Sequence, residues 1–486
     1  MTRQAEGREF RRSVTRGLLW KLSELAGAQG VQFAVALILA RLMTPREYGT
    51  IGLIMIFITI ANVFVQSGFA TALIQAPEVR EEDYSSVCRV SLLISVPVYL
   101  VLWACAPLAA AYYETPLLSA LLRVMGVVLF PGAVISVQTA RVARGLAFRR
   151  LFEATMFAVL LSGVISVIMA FLRFGVWAMA AQQLIYYFGL MTGLFFTVRW
   201  RPGAAFDGRR VKRLFRFSWK ILLSGLIDTV WMNLYGLMIG KRYSQADLGG
   251  YNRGEQFPKL IASNLAAAIQ SVLLPTYAQH QGEPAALKQM MRRSVRLSAF
   301  GIFPMMAGLA GCAEPLVRVL LTERWLFCVP YLRVMCLCYA FWPVHVTNLQ
   351  MVTALGRSDL FLKLEIAKKR LGVVILLLSL RFGVVGMLLL KALDEFLCTF
   401  LNALPVRRLI GYGIGAQYMD MLAPAVCALL MGAGVWQIER CGFPAGATLL
   451  AQIGAGVLLY ALLSWLFNRE SLHYVTALLY QRRSAG

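Results

Sequence analysis

The sequence predicts an all-α integral membrane protein of about fourteen transmembrane helices, each about twenty residues long. The 486 residues are 59% hydrophobic and only 15% charged, and their mean hydropathy is +0.66. A soluble domain contains about half apolar and about a quarter charged residues. The excess apolar side chains must therefore face something other than water. Apolar stretches of bilayer length recur along the whole chain.

These stretches predict an even number of spans, so both termini are expected on the same side of the membrane. Arginines precede the first span, as in a signal peptide, but the apolar run is too long for one and predicts an uncleaved helix. The predicted spans are 17–42, 49–72, 86–111, 116–139, 151–172, 175–198, 216–240, 248–277, 294–313, 328–353, 361–380, 383–404, 419–438 and 446–467.

The distribution of positive charge predicts the orientation. The chain has 48 Lys and Arg residues against 24 Asp and Glu, a formal net charge of +24. Most of the basic residues lie in the termini and in alternate loops, which indicates cytoplasmic termini. This placement also argues against nucleic-acid binding, which needs a basic face on a soluble domain. The opposite loops contain only Arg41, Arg46, Arg173, Lys241, Arg242, Arg318, Arg324, Arg381 and Arg440.

Cysteine and histidine spacing predicts no metal site, no disulfide framework and no cofactor. The nine cysteines lie mostly in apolar runs and form no CxxC motif. The three histidines, His280, His345 and His473, are far apart in the chain.

The chain repeats itself at an offset of 199 to 210 residues. Four short matches occur in the same order: 172–176 with 380–384, 122–125 with 332–335, 20–21 with 219–220, and the turn 41–49 with 241–249. Helices six apart share an orientation, so the pattern predicts a parallel repeat of two six-helix lobes. In transporters with such repeats the substrate site lies between the lobes.

The repeat predicts three domains. Residues 1–200 form an N-terminal lobe of helices 1–6, and residues 201–410 form a C-terminal lobe of helices 7–12 after a basic cytoplasmic linker. Residues 411–486 add helices 13 and 14 and a tail. Within the tail, Glu470–Arg483 has helical spacing of apolar residues and is expected to lie on the membrane surface.

Ionisable residues inside the spans are the candidate functional residues, because each costs about 3 kcal/mol at bilayer depth. They form pairs three or four positions apart, which face each other on a helix. Such pairs either neutralise themselves near a wet surface or line a polar cavity. They are Lys21 and Glu24 in helix 1, Arg253, Glu255 and Lys259 in helix 8, and Lys391, Asp394 and Glu395 in helix 12, where Lys391 reaches either carboxylate.

Asp228 differs because no basic residue lies within four positions of it in helix 7. A lone carboxylate at this depth becomes protonated or finds a partner on another helix, with Lys21, Arg253 and Lys259 as candidates. Three roles remain open for Asp228: bracing a cation that binds cargo, carrying a coupling proton, or forming a structural bridge. Arg123 and Arg333, which the repeat relates, are expected at the outer ends of helices 4 and 10.

Two passages resemble the multidrug/oligosaccharidyl-lipid/polysaccharide exporter superfamily, and within it the Wzx-type polysaccharide flippases. The first runs from Gly17 through Ala40-Arg41-Leu42-Met43-Thr44-Pro45 to Gly49, and is similar to the family's first hairpin. The second, at residues 246–252, is its counterpart before helix 8. The resemblance covers residues 10–410, whereas the last two helices match only in hydrophobicity.

The resemblance implies a two-lobed fold with a central cavity and alternating access in the bacterial inner membrane. The implied cargo is a polyprenyl-pyrophosphate-linked oligosaccharide, and the implied partners are membrane lipids and the polymerase and glycosyltransferases of the same pathway. A pyrophosphate needs basic side chains, and a sugar needs polar and aromatic ones. Candidates for the sugar are Asn62, Gln66, Asn233, Tyr235, Tyr251, Asn252, Asn264, Gln270, Tyr339, Trp342 and Asn348.

Two other functions compete with that of a flippase. A multidrug antiporter of the same superfamily is the alternative, but the basic bias inside the spans favours an anionic cargo. An enzyme is not expected, because the sequence has no Asp-x-Asp motif, no Walker-type glycine loop and no Ser/His/Asp constellation.

Overall fold

A computed structural model describes residue 20 and residues 27–66, 68–203, 206–470 and 472. Nearly all of these residues are helical, and none of them lies in a strand. The chain is therefore an all-α protein, as the sequence predicts.

Eighteen helices are seen within the described ranges, with short 3₁₀ turns between some of them. Their bounds are α1 Gly27–Leu42, α2 Pro45–Gln66, α3 Phe69–Gln75, α4 Glu81–Tyr112, α5 Leu117–Met125, α6 Leu129–Arg144, α7 Phe148–Phe171, α8 Val176–Val198, α9 Gly208–Arg242, α10 Gln245–Gln279, α11 Pro284–Gly311, α12 Ala313–Leu320, α13 Val329–Ala340, α14 Trp342–Ala354, α15 Ser358–Ser379, α16 Gly383–Ile410, α17 Ile414–Gln437 and α18 Ala445–Phe467.

The structure has, among its described residues, 10 helices or joined helical pairs that are long and apolar enough to cross a membrane. The other predicted spans coincide with α1, α8, α15 and α16, so every predicted span has a helix wherever the chain is described. Several helices start earlier than predicted, as α9 does at Gly208, because their polar first turns extend beyond the apolar stretch.

The chain divides into two compact units, Met1–Gly249 and Gly250–Gly486. In the first unit α7 packs along α8, and α9 packs against α2, α3 and α4. One core of this unit contains Phe69, Val87, Leu194 and Trp200. The predicted domain boundary at 200/201 rests on the sequence repeat and stays a prediction. In the described structure α9, which follows that boundary, packs against helices of the first unit.

The second unit is built on α11, which packs along α17 and also against α13 and α14. α15 and α16 form a neighbouring pair, and α16 packs against α13 and α14. Tyr277, Met291, Val344 and Tyr412 fill the core of this unit. Most of the tail predicted to be amphipathic lies outside the described residues.

Two turns related by the repeat have the same local structure. Glu47 accepts hydrogen bonds from the Thr44 amide at 2.7 Å and from its hydroxyl at 2.9 Å. Asp247 accepts the same bonds from Ser244, at 3.2 and 2.7 Å. Each is a side-chain capping arrangement at a helix start, so α2 and α10 begin in equivalent ways.

The first turns of α2 and α10 touch through two glycines, both inside the first unit. A Cβ on Gly49 would lie 1.6 Å from the carbonyl oxygen of Gln245. A Cβ on Gly249 would lie 2.1 Å from the carbonyl oxygen of Pro45. The contact is reciprocal, because residues 45 and 245 and residues 49 and 249 are repeat equivalents. Only glycine permits so close an approach of two backbones.

The basic segment between α8 and α9 is attached to the start of α4. The Gly203 amide donates to Ser85 Oγ at 2.9 Å, and the Asp207 amide donates to Ser86 Oγ at 3.0 Å. Trp200 Nε1 donates to Glu81 Oε2 at 3.0 Å. These bonds hold the ends of the segment predicted as a linker against the first unit.

Candidate functional site

Five side chains from three helices meet inside the second unit and form a lysine cluster: Tyr251, Glu255 and Lys259 of α10, Tyr339 of α13 and Lys391 of α16. Glu255 is at its centre. Its carboxylate lies 3.5 Å from Lys391 Nζ and 3.7 Å from Lys259 Nζ. It also accepts hydrogen bonds from Tyr339 at 2.9 Å and from Tyr251 at 3.3 Å.

Helical spacing explains why α10 supplies three members of the lysine cluster. Residues 251, 255 and 259 are four apart, so their side chains follow one another along one face. The pair predicted between Glu255 and Lys259 is present on this face. Lys391 comes from α16 and donates to the Tyr251 hydroxyl at 3.4 Å, a contact that sequence spacing does not reveal.

The side chains of the lysine cluster differ in exposure, from a buried end at Lys391 to an open end at Lys259. The Lys391 and Glu255 side chains are only 15% and 16% exposed, whereas Lys259 is 52% exposed. Two ammonium groups surround one carboxylate, which leaves positive charge at the open end. Trp342 stacks on Tyr339, with ring centroids 5.3 Å apart and planes at 20°. The arrangement places basic side chains, which favour anions, beside flat aromatic rings of the kind that bind sugars.

The pairing of Lys391 with a carboxylate of its own helix stays a prediction, and α16 also forms an ion pair that the sequence did not predict. The ion pair of Lys391 is with Glu255 of α10, because the lysine extends across to the neighbouring helix. Glu395 instead faces His345 of α14, with Nε2 3.4 Å from its carboxylate. Asp394 is buried, and the Cys398 thiol lies 3.8 Å from it.

The remaining candidate residues are Arg253, Asp228, Lys21 and Glu24. Arg253 is buried two residues from Glu255, on a different face of α10, beside Gln256 and 6.0 Å from the Trp325 ring. Asp228 lies exposed on α9 in the first unit, and its proposed role stays a prediction. Lys21 and Glu24 fall outside the described residues.

His345 and Asn402 are polar partners that sequence reasoning missed. Sequence spacing tests His345 only as a metal ligand. Its partner Asn402 lies 57 positions away in the chain, so spacing does not reveal the contact. The only available signal was a histidine within a span that also carries Trp342 and Asn348. Nothing in its spacing pointed to Glu395 on another helix.

The family of the chain follows from its match to known proteins. The family model described as "Polysaccharide biosynthesis protein" matches residues 38–330, which is more than half of the chain. The chain belongs to this family. The match confirms the resemblance, and it includes the second passage and the end of the first, from residue 38 onward.

Three relatives with named roles are similar over much of their length. The succinoglycan biosynthesis transport protein ExoT of Rhizobium meliloti (strain 1021) is 26% identical over 67% of this chain and 66% of its own length. The teichuronic acid biosynthesis protein TuaB of Bacillus subtilis (strain 168) is 24% identical over 90% and 91%. The lipopolysaccharide biosynthesis protein WzxC of Escherichia coli (strain K12) is 20% identical over 82% of each chain.

Two solved structures share the fold. One is the lipid II flippase MurJ, whose structure is described as an inward closed conformation. It has a TM-score of 0.74 at 14% identity and covers 94% of this chain and 100% of its own. The other is an inward-facing multidrug resistance transporter of the MATE family and MOP superfamily, with a TM-score of 0.60 at 15% identity over 78% and 94%. Both likenesses concern the fold alone.

Proposed function

We propose that this protein is a flippase that translocates a polyprenyl-pyrophosphate-linked oligosaccharide across the bacterial inner membrane, by alternating access, for polysaccharide biosynthesis. Its family and the named roles of its relatives support this function. The observation that carries the proposal is the lysine cluster, which places two ammonium groups beside stacked aromatic rings within the helical bundle of the second unit.

The chemistry of the cargo explains why such a cluster is needed. A pyrophosphate carries about two negative charges, and an isolated ion loses its hydration at a high cost in hydrocarbon. Lys391 and Lys259 replace part of that hydration, and Glu255 balances part of their positive charge when no anion is bound. The polyprenyl chain remains in the lipid, where it needs no protein contact to be soluble.

Orientation and partners complete the proposal. The excess of Lys and Arg in alternate loops favours cytoplasmic termini. The cargo would then be received from cytoplasmic glycosyltransferases and delivered to a polymerase on the outer side. The protein acts as a transporter and catalyses no covalent step. A multidrug antiporter is disfavoured, because the positive charge at Lys259 repels an organic cation.

The proposal is tested in the bacterium that encodes this protein, with the gene deleted. Lipid-linked saccharide should accumulate on the inner leaflet and disappear again when the wild-type gene is restored. Lys391→Met should restore less than about a tenth of export, since a charge-assisted contact contributes about 1.5–3 kcal/mol. Lys391→Arg keeps the positive charge, so the export that it restores shows whether charge alone is sufficient for export.

Lys363→Met is the matched control, because Lys363 is exposed on α15 and lies outside the lysine cluster. It should restore export fully, and immunoblots must show equal amounts of each variant in the membrane. Normal export by Lys391→Met would refute the role of the lysine cluster. Unchanged leaflet distribution in the deletion strain would refute the flippase function itself.

A further inference from the structure

The polar group around His345 lies next to the lysine cluster in the second unit, and the proposed function does not use it. His345 Nε2 is 3.4 Å from Glu395 Oε2, and its Nδ1 is 2.9 Å from the Asn402 side-chain nitrogen. The imidazole side chain is 12% exposed and the carboxylate 31%. A largely buried histidine that faces a carboxylate is a group whose charge can change near neutral pH.

We propose that His345 and Glu395 form a proton-binding site, and that a proton bound there increases the affinity of the lysine cluster for an anion. The inference deepens the proposed function, since the anion is the pyrophosphate of the cargo. The ligand of this second site is the proton itself.

The surroundings of His345 fit both the neutral and the charged imidazole. In the neutral form the Asn402 amide donates to Nδ1, and Nε2–H faces Glu395 at a distance that is long for a hydrogen bond. In the charged form both ring nitrogens donate. Glu395 then accepts from Nε2, and the Asn402 oxygen, which is buried without a hydrogen-bond partner among the described residues, accepts from Nδ1 after the amide rotates.

Charged groups from several helices surround this pair. Lys391 and Asp394 of α16 and Lys368 of α15 act on Glu395 electrostatically. Lys368 is paired with Glu365, and Tyr339 of α13 is bonded to Glu255. The arginines of α11, Arg292 and Arg296, are occupied by Asp420 of α17. Asp394 is buried beside Glu395 and is a second group that can exchange a proton here, so the experiments compare His345→Gln with the wild type and observe the imidazole itself.

One turn of α16 connects the pair of His345 and Glu395 to the lysine cluster. Glu395 and Lys391 are four residues apart, so the carboxylate partly neutralises the field of the lysine. A proton on His345 compensates Glu395 and leaves more positive potential at Lys391. Anion binding must then strengthen as pH falls, and by reciprocity a bound anion must increase the proton affinity of His345.

The first experiment measures binding of polyprenyl pyrophosphate to the full chain in lipid nanodiscs at pH about 5.5 and about 8, on either side of the ordinary imidazole pKa. Pyrophosphate also titrates in this range, so His345→Gln supplies the baseline. The ratio of the two affinities should be at least about fivefold larger for the wild type than for His345→Gln. His280→Gln, a histidine at the end of α10, should behave as the wild type. Equal ratios in wild type and His345→Gln would overturn the proposal.

The second experiment observes the proton directly by NMR of ¹⁵N-histidine in a chain where His280→Gln and His473→Gln leave one imidazole. The His345 signal should titrate between pH about 5.5 and about 8, at a lower pH in Glu395→Gln because the counter-charge is gone. An imidazole that stays neutral over this whole pH range would refute the proton-binding site. If no polyprenyl pyrophosphate binds at either pH, the proposed cargo is wrong, whereas the titration still tests the proton site.

Discussion

At the scale of single residues, buried carboxylates in the second unit are matched by cations from other helices. Glu255 of α10 has Lys391 of α16, and Asp420 of α17 has two arginines of α11. Asp420 is 2% exposed, with Arg292 Nε at 2.7 Å and Arg296 Nη2 at 2.6 Å, and it also accepts a hydrogen bond from Tyr412 at 2.9 Å. Each match joins helices that are far apart in sequence.

Asp420→Asn should therefore destabilise the second unit. The change costs about 1–3 kcal/mol, because the bonds from Arg292, Arg296 and Tyr412 lose a charged acceptor while both arginines remain partly open to water. The melting temperature of the purified protein in detergent measures this loss. Asp359→Asn is the matched control, since Asp359 pairs with Arg357 but is 53% exposed, and it should melt like the wild type. Equal melting temperatures for the two variants would contradict this account of Asp420.

Gly49→Ala tests the close contact between the first turns of α2 and α10. A methyl group there overlaps the Gln245 carbonyl, so the backbones must move apart, at a cost of about 1–3 kcal/mol. The melting temperature should fall. Gly454→Ala in α18 places the same methyl group where nothing lies within 4 Å, and it should not lower the melting temperature. A Gly49→Ala protein as stable as Gly454→Ala would show that the contact is loose.

At the scale of elements, hydropathy predicted the spans well because bilayer thickness fixes their length. It did not predict where helices extend into water, as α9 does before residue 216, nor the breaks between α5 and α6 and between α13 and α14. Those features depend on local contacts. The attachment of the basic segment to Ser85 and Ser86 is one such contact, since serines inside a span carry no signal of their partners.

Replacing both serines, Ser85→Ala with Ser86→Ala, should free this segment. The amides of Gly203 and Asp207 lose their acceptors, so Arg199 and Arg201 should become accessible to trypsin. Limited proteolysis of the purified protein measures the cleavage rate, expected to rise several-fold. Ser162→Ala removes a serine that bonds only within α7 and should leave the rate unchanged. A double variant cleaved no faster than Ser162→Ala would rule out this attachment.

At the scale of the whole molecule, the sequence predicted the all-α fold and the family, and it named the members of the lysine cluster as candidates without the contacts between helices that join them. Charges spaced four apart, such as Glu255 and Lys259, could be paired from sequence because one helix fixes their distance. Lys391 with Glu255, and His345 with Glu395, could not, because tertiary packing brings those helices together. Asp228 is a candidate because no basic residue lies within four positions of it in its own helix. That criterion does not show which way this face of the helix points.

The most direct measurement of the central claim is transbilayer movement of a fluorescent polyprenyl-pyrophosphate-linked saccharide in vesicles containing the purified protein. The wild type should move the lipid to the opposite leaflet much faster than protein-free vesicles do. Lys391→Met should lose most of that rate, and Lys363→Met should keep it. Movement no faster than in protein-free vesicles, or equal rates for the wild type and Lys391→Met, would contradict the account.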